Sequence, residues 1–356
     1  MKRIRVVVVD DSAFSRRSIT KMLEDMPSIE VVGYATNGEE GIQKVILLKP
    51  DLVTVDLEMP KMDGFTLLRI LTTRFSIPVI VVSALNEADK VFKALELGAF
   101  DFVAKPCGTA SVNLLSIKED LQKKVLQVMS IKPGGLFRIR SSRGESEPAD
   151  INLPASDRTP KGQNRSIDIV AIGASTGGPP ALQQIFSTFK QKYQFAIVVS
   201  QHMPSGFTKA FSERLNRSSL FDVKEAEDGD LVLPGRVLIA PGGRNMIFEV
   251  RGGQVAARIV EPSNEDRYIP SVDVMLESCA AIYRKRAMAV ILTGMGSDGS
   301  RGVRSIKGNG GYVVAESEES AVVYGMPREA VATGVVDSVV PLHLVSSEII
   351  LQGGFA

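Results

Sequence analysis

Three apolar runs in the second half of the chain each stop at a reactive side chain. The segments are 167–178 (IDIVAIGASTGG), 195–204 (FAIVVSQHMP) and 287–299 (AMAVILTGMGSDG). The reactive side chains are Ser175, His202 and Asp298. Apolar runs of this length that end in Gly-rich turns are typical of buried parallel strands. Because open α/β sheets carry their sites at the carboxyl ends of such strands, we expect a nucleophile, a base and a carboxylate at one sheet edge. The first hypothesis is a hydrolase with a Ser-His-Asp triad.

The bulk properties of the chain narrow its class. A length of 356 residues favours two domains. The formal net charge is +1, with 42 basic and 41 acidic residues, which gives no reason to expect a nucleic-acid partner. The two cysteines, Cys107 and Cys279, have neither a disulfide nor a metal-binding pattern. No apolar stretch approaches the roughly 20 residues of a membrane helix, and the N-terminal run is typical of a first strand, not of a signal peptide. We therefore expect a cytoplasmic protein without membrane insertion.

The order of predicted elements indicates two α/β domains joined by a linker. Residues 1–129 alternate strands and helices in five units, which predicts a doubly wound parallel sheet. Residues 130–165 are rich in Pro, Gly, Ser and Arg and have no apolar period, as is typical of an interdomain linker. Residues 166–350 alternate again and predict a second doubly wound, mostly parallel domain. The predicted strands are 4–10, 30–34, 52–56, 79–83 and 101–104 in the first domain, and 167–172, 195–200, 237–240, 288–293 and 312–315 in the second. An antiparallel pair, 246–250 and 254–259, is expected to turn at Gly252-Gly253.

An acidic cluster is predicted at the sheet edge of the first domain. Asp10, Asp11 and Asp56 end the first and third strands, and their mutual repulsion calls for a hard divalent cation such as Mg²⁺. Lys105 ends the fifth strand and suits a phosphoryl oxygen, while Ser83 ends the fourth with a hydroxyl. The pattern indicates an aspartate that accepts a phosphoryl group beside a metal. The alternative for any one of these residues is a solvated loop side chain.

The same residues resemble those of response-regulator receiver domains. The matching motifs are DDS at 10–12, DLEMPKMDG at 56–64, Ser83-Ala84 and Lys105-Pro106, within about residues 1–125. The resemblance implies a flavodoxin-like fold, phosphorylation of Asp56 by a histidine kinase, and Mg²⁺ held by Asp10, Asp11, Asp56 and the backbone carbonyl of Glu58. It also implies that Ser83 and Lys105 are switch residues and that Phe102 is the rotating aromatic.

The segment around Ser175 leaves two arrangements open. The run GASTGG precedes a helix begun at Pro179-Pro180, so the serine would lie at a helix N-terminus, where N–H groups favour an oxyanion. A phosphate-binding loop or a plain tight turn are the alternatives. The G-x-S-x-G pattern of α/β-hydrolases requires the order Ser, acid, His, and so would use His343. We favour His202, because it directly follows a strand whereas His343 lies at the start of a terminal helix.

The loop of Asp298 offers two further groups to the same site. Asp298 is expected to orient His202 through its Nδ1–H, and the backbone N–H of Met295 is a candidate donor to an oxyanion.

Six stretches of the second domain resemble the protein-glutamate methylesterases of bacterial chemotaxis. They are IGASTGGP, QHMPSGFT, IAPGG, PSVDVML, LTGMGSDG and YGMPREA, within about residues 166–345. The resemblance implies that Ser175 is the nucleophile, His202 the base and Asp298 its partner, with Thr176, Gly177 and Met295 around the oxyanion. It further implies a phosphorylation-activated esterase that needs no cofactor, acts on glutamyl methyl esters of methyl-accepting chemotaxis receptors and also deamidates receptor glutamines.

One departure and three rival functions remain. Many family members carry a histidine two residues after IAPGG, where this chain has the run Arg244-Asn245-Met246. A receiver joined to a DNA-binding output would need a helix-turn-helix or a basic stripe, and neither is present in the sequence. A catalytically inert scaffold and an esterase with another substrate are the other two rivals.

Overall fold

The computed structural model describes residues 3–84, 87–105, 111–128 and 167–353. The predicted linker at 130–165 and Cys107 lie outside these residues. The described chain forms two compact units, each built on its own parallel sheet, as the predicted fold class requires. Within these ranges, none of the helices combines the length and the apolarity that a bilayer crossing needs.

The first sheet has five parallel strands in the order β2-β1-β3-β4-β5. The strands are β1 Ile4–Val9, β2 Ile29–Ala35, β3 Leu52–Asp56, β4 Val79–Ser83 and β5 Asp101–Ala104. The helices are α1 Ala13–Glu24, α2 Gly38–Leu48, α3 Gly64–Ile70, α4 Ala88–Glu96 and α5 Ser111–Val128, and one π-helical turn, Leu71–Phe75, continues α3. Because Val9 pairs with Val55, the ends of β1 and β3 lie side by side.

Short polar caps set the turns that lead from this sheet into its helices. Ser12 Oγ accepts the N–H of Ser15 and starts α1 only three residues after β1 ends. Asp63 accepts the N–H of Thr66 and starts α3 in the same way. Side-chain caps of this kind satisfy N–H groups that a helix leaves free in its first turn. The acidic residues that follow β1 and end β3 therefore lie at the carboxyl edge of the sheet, just before the helices begin.

The second sheet has seven parallel strands in the order β14-β13-β12-β6-β7-β9-β8. The strands are β6 Ile169–Ala174, β7 Ala196–Gln201, β8 Asp222–Glu225, β9 Arg236–Ile239, β12 Ala287–Ile291, β13 Tyr312–Glu316 and β14 Ser338–Val340, and the antiparallel hairpin is β10 Asn245–Arg251 with β11 Gln254–Val260. The helices are α6 Gly178–Thr188, α7 Phe207–Ser218, α8 Val272–Tyr283, α9 Ser300–Gly308, α10 Met326–Ala332 and α11 Leu342–Gln352, with a 3₁₀ turn at Arg284–Arg286.

The sequence prediction found the central strands of this sheet and missed both of its edges. The three strands β12, β6 and β7 are neighbours and every residue in them is buried, so they carry the continuous apolar signal. The missed strands are β8 (DVKE) and β14 (SVV), which are short and only partly buried. The adjacency of the central strands brings the segments that follow them, with Ser175, His202 and Asp298, to one edge.

A glycine in β6 allows helix α8 to lie close to the sheet. A Cβ atom at Gly173 would come within 2.3 Å of Val272 Cγ1, so only glycine fits without a shift. Val272 is the first residue of α8, which packs into the buried core around Met275 and Leu276. The N-terminus of α8 is thereby held next to the carboxyl end of β6.

Candidate active site

Ser175 lies where β6 turns into α6. Its backbone N–H donates to Thr293 O over 3.0 Å, and Gly177 takes a φ of +80° that favours glycine in this turn. A Cβ atom at Gly294 would stand 2.7 Å from Ser175 Cβ, so the loop that follows β12 packs directly against the serine. Thr176 is buried in the same turn. The serine itself is half-buried.

His202 directly follows β7 and faces Asp298. Its backbone N–H donates to Ala174 O over 3.0 Å, which ties it to the end of the neighbouring strand. The ring atom Nε2 lies 2.7 Å from Asp298 Oδ2. The imidazole also stacks on Tyr268, with ring centroids 4.9 Å apart and planes 4° apart. One acid and one aromatic ring together fix the imidazole.

The expected ring nitrogen was wrong. Asp298 was expected to bind Nδ1 of His202, but it contacts Nε2, so Nδ1 is the nitrogen left for the serine. Among the described residues no hydrogen bond joins Ser175 Oγ to His202. Catalytic hydrogen bonds are commonly loose without substrate and tighten only in its complex.

Asp298 is held at the N-terminus of α8. Its Oδ2 accepts the N–H of Val272 over 2.7 Å, besides facing His202. Its Oδ1 accepts the N–H of Asp273, the hydroxyl of Ser271 and the N–H of Gly299, over 2.9, 3.1 and 3.1 Å. A carboxylate is stabilised at this position by the free N–H groups and the dipole of the helix.

The environment keeps Asp298 ionised. Burial by itself would raise the pKa of Asp298. The hydrogen bond and charge of His202, together with the N–H groups of Asp273 and Val272, outweigh burial, so the pKa of Asp298 is lowered. An ionised acid at this position can orient His202 and stabilise its imidazolium form.

A second carboxylate, that of Asp273, binds the N-terminus of a neighbouring helix in the same way as Asp298. Asp273, in the first turn of α8, accepts the N–H groups of Arg301 and Gly302 in the first turn of α9, over 3.0 and 2.8 Å. It also accepts Arg301 Nε over 3.1 Å. Asp298, just before α9, binds the start of α8. The two helix starts therefore hold each other's acidic residues, an arrangement that strand periodicity could not reveal.

The loop between β12 and α9, residues 292–299, is held by hydrogen bonds at Thr293 and Gly294, the two residues before Met295. Thr293 N donates to Glu316 Oε2 over 2.8 Å, and Thr293 Oγ1 accepts the N–H of Val323 over 2.9 Å. Gly294 N donates to Val323 O, and Gly294 O accepts the N–H of Met326. Met295 is exposed, and its backbone N–H has no partner among the described residues. That free N–H is in keeping with the expected oxyanion donor.

His343 and Asn245 occupy positions of quite different character. His343 is exposed in the first turn of α11, and Asp298 is bonded to His202 instead. Asn245, part of the departure at 244–246, is buried; its Oδ1 accepts the N–H of Ser271 and its Nδ2 donates to Asp266 Oδ2, both over 2.8 Å. Asn245 therefore supports the residue that caps α8.

The acidic residues of the first unit converge as expected. Asp10, Asp11 and Asp56 place carboxylate oxygens within 4.8 Å of one another, at the adjacent ends of β1 and β3. Asp10 and Asp56 are buried and Asp11 is exposed. Lys105 Nζ makes a close ion pair with Asp56 and lies 3.7 Å from Asp10 Oδ2.

The charge balance of this cluster suits a divalent cation. Burial raises the pKa of Asp56 to about 6; the hydrogen bond and charge of Lys105 act against burial, and the charge of Asp10 adds to it. One ammonium is therefore too little positive charge for three carboxylates, and Mg²⁺ binds oxygen ligands of this kind. Glu58 N donates to Asp56 Oδ1 over 3.3 Å, which places the backbone of Glu58 beside the cluster.

Ser83 and Phe102 lie on the strands next to the cluster. Ser83 is buried, and its Oγ donates to Glu87 Oε2 over 2.6 Å instead of binding the acidic cluster. Phe102 is buried on β5, with Lys124 Nζ 4.8 Å from its ring centroid. Sequence reasoning did not find Glu87, because an exposed-looking acid in a loop gives no signal of its own.

Comparisons with known proteins agree on both halves of the chain. Residues 170–349 match the CheB methylesterase family and residues 6–115 match the response regulator receiver domain family. A protein-glutamate methylesterase/protein-glutamine glutaminase of Geobacter sulfurreducens is 55% identical, over 99% of this chain and 98% of its own length. One of Myxococcus xanthus is 44% identical, over 95% and 94%. The crystal structure of the Thermotoga maritima CheB methylesterase catalytic domain has a TM-score of 0.51 and 42% identity, covering 52% of this chain and 98% of that domain.

Proposed function

Since this chain belongs to the CheB methylesterase family, we propose that it is a phosphorylation-activated serine esterase of chemotaxis adaptation. Its substrates are glutamyl methyl esters on methyl-accepting chemotaxis receptors, and it also deamidates receptor glutamines. The observation that carries the proposal is the pair of His202 Nε2 and Asp298 Oδ2, 2.7 Å apart, which follow the two strands that flank the strand of Ser175. The names of the relatives, which include both activities, supply the substrate class.

The reaction uses the ring nitrogen that Asp298 leaves free. Ser175 Oγ attacks the ester carbonyl, and its proton passes to His202 Nδ1. Asp298, bonded to Nε2–H, stabilises the imidazolium. The oxyanion is met by backbone N–H groups, with Met295 as the principal donor and Thr176 and Gly177 at the start of the helix beside it.

Two steps complete the reaction from the tetrahedral intermediate. The ester C–O bond breaks, and methanol leaves with the proton held by His202, which produces a glutamyl ester of Ser175. Water attacks this ester while His202 takes its proton, and Ser175 leaves with that proton, so a receptor carboxylate is restored. Deamidation follows the same path from a glutamine side chain, with ammonia as the leaving group. The esterase chemistry needs no cofactor.

Regulation is assigned to the acidic cluster of the first unit. A histidine kinase of the chemotaxis system phosphorylates Asp56, and Lys105 pairs with the phosphoryl group, as its ion pair with Asp56 supports. Asp10, Asp11, Asp56 and the Glu58 carbonyl would hold Mg²⁺, which would neutralise phosphoryl charge. Ser83 turns from Glu87 toward the phosphoryl group, and Phe102 follows it. The unphosphorylated receiver restricts access to Ser175, and phosphorylation shifts the population to an open form.

The proposed function implies two partners and a cellular compartment. The partners are membrane receptors, as substrate, and a cytoplasmic kinase, as phosphodonor. The enzyme acts in the cytoplasm and itself neither enters the membrane nor binds nucleic acid.

Methanol release from methylated chemoreceptor membranes tests this function. Wild type, Ser175→Ala, His202→Ala and Asp56→Asn are compared with and without acetyl phosphate. We expect acetyl phosphate to stimulate methanol release by wild type but not by Asp56→Asn. Both triad variants should release methanol about 10³-fold more slowly than wild type, or slower still. No release from wild type, or full release by His202→Ala, would refute the esterase. An Asp56→Asn protein as active as phosphorylated wild type would refute the regulation.

A further inference from the structure

Glu316 is a fully buried acid at the end of β13 that the reaction above does not use. Its side chain is 0% exposed. Oε2 accepts the N–H of Thr293 over 2.8 Å, and Oε1 accepts the hydroxyl of Ser320 over 2.9 Å. Ser320 Oγ in turn accepts the N–H of Leu342, so its one hydrogen is available for Glu316. Within the described residues the carboxyl has these two donors and no cation.

The first of these donors belongs to the loop that carries Met295. Thr293 donates its N–H to Glu316, and its carbonyl accepts the N–H of Ser175. One peptide segment thus links the buried acid to the backbone of the nucleophile on one side and to the oxyanion donor two residues later on the other. A displacement of Thr293 would move both groups. Positioning errors near 1 Å can cost about 100-fold in rate.

We propose that Glu316 is a positioning residue that sets the β12–α9 loop for catalysis by accepting the N–H of Thr293. The proposal rests on the proposed function, because it assumes that this loop serves an oxyanion. What matters is a full-length side chain with an oxygen at the position of Oε2. The negative charge is not required, since no cationic side chain bonds to it.

The electrostatic surroundings support an acceptor and not a charge. Burial raises the pKa of Glu316 to about 7, against the hydrogen bonds from Thr293 and Ser320. The charged or titratable side chains on β13, on the helices that pack against it and in the adjoining loops are Arg301, Arg304 and Lys307 of α9, Arg328 and Glu329 of α10, His343 and Glu348 of α11, Tyr312 of β13, and Glu318, Glu319 and Asp337 in the loops. None of them bonds to Glu316. Near neutral pH a good part of this carboxyl is therefore uncharged, and it must serve the loop in that form too.

Two substitutions separate length from charge. Glu316→Gln keeps the length and an oxygen but removes the charge, whereas Glu316→Asp keeps the charge and shortens the side chain by one methylene. The readout is the reaction of Ser175 with an alkyl fluorophosphonate in the full chain, with Mg²⁺ and acetyl phosphate present. Ser175 Oγ bonds to phosphorus, fluoride leaves, and the serine proton passes to His202. This readout needs the triad and the oxyanion donors but no receptor.

We expect the Gln variant to keep the maximal labelling rate within about threefold, and the Asp variant to lose about 10- to 100-fold of it with the probe's half-saturation nearly unchanged. An active Asp variant with an inactive Gln variant would overturn the proposal in favour of a role for the charge. Wild-type rates in both variants would overturn it as well. If Glu316→Asp does not fold, as thermal unfolding will tell, Glu316→Gln decides alone: a normal rate supports the proposal and a lost rate refutes it.

The failure of the proposed function looks different. If wild type is labelled at Ser175 but releases no methanol from receptors, the proposed substrate is refuted. The labelling rates of Glu316→Gln and Glu316→Asp then still test the role of Glu316. A wild type that does not label at Ser175 would overturn both.

Discussion

Replacing Asp298 by asparagine changes one oxygen into a donor at a site where nearly every neighbour is already a donor. If the amide nitrogen took the place of Oδ1, it would face the N–H groups of Asp273 and Gly299. In the place of Oδ2 it would face the single N–H of Val272 and His202 Nε2, which can become an acceptor. The second orientation has fewer donor-donor conflicts, so we expect it to prevail.

That orientation moves the imidazole hydrogen to the wrong side. With an amide donor at Nε2, the neutral His202 carries its hydrogen on Nδ1, the nitrogen that must take the proton of Ser175. Loss of the correct tautomer in triads of this kind costs about 10⁴ in kcat, which is about 5.4 kcal/mol in the activation barrier. The Val272 N–H left without an acceptor costs about 1–3 kcal/mol of unfolding free energy.

The assay is methanol release at saturating methylated receptor, beside urea unfolding of the same proteins. Asp273→Asn is the matched control, because Asp273 accepts N–H groups of a helix start but does not touch His202. We expect it to lose about 1–3 kcal/mol of unfolding free energy as well, with kcat within about tenfold of wild type. An Asp298→Asn enzyme with more than about a tenth of wild-type kcat would refute the tautomer argument.

Three further outcomes follow from the site. Tyr268→Leu removes the ring that stacks on His202 and should lower kcat about tenfold, whereas Tyr268→Phe should restore it; equal rates in the two would rule out a role for stacking. Because burial raises the pKa of Asp56 from 3.8 to about 6, wild type loses stability as pH rises through that window. Without Mg²⁺, Asp56→Asn should therefore add up to about 3 kcal/mol of unfolding free energy near pH 7.5 and less than about 1 kcal/mol near pH 4. Burial likewise raises the pKa of Glu316 from 4.5 to about 7, so wild type loses stability as pH rises from about 4.5 to 7. The Tm of Glu316→Gln minus that of wild type should therefore increase across this window and stay constant above it. A Tm difference that does not depend on pH would contradict a buried acid.

The sequence predicted the features that are local along the chain. Ser175, His202 and Asp298 each follow an apolar run within a few residues, and the pairing of β12, β6 and β7 brings the three segments to one edge. Asp10, Asp11 and Asp56 were found for the same reason, since strands β1 and β3 end beside each other. Strand endings are therefore a good guide to which side chains share an edge.

The contacts that were missed join distant parts of the chain. The use of Nε2 depends on how α8 presents Val272 to Asp298, which lies 26 residues further on. The bond from Thr293 to Glu316 depends on the pairing of β12 with β13, and Glu316 looked like an ordinary acid in a polar stretch. Edge strands β8 and β14 escaped because half-exposed short strands have no continuous apolar run. Periodicity carries no information on such contacts.

Asp273 and Asp298 each bind the N-terminus of the other's neighbouring helix, and this affects which substitutions the enzyme can accept as it evolves. Six of the hydrogen bonds that hold them come from the main chain or from Ser271, and every residue except proline supplies a main-chain N–H. Substitutions along the first turns of α8 and α9 can therefore accumulate without removing the donors. For these bonds the inherited requirement falls on the two acidic positions and on Ser271, whereas Gly299 and Gly302 are constrained separately, because a Cβ atom at either would stand within 3 Å of a neighbouring side chain.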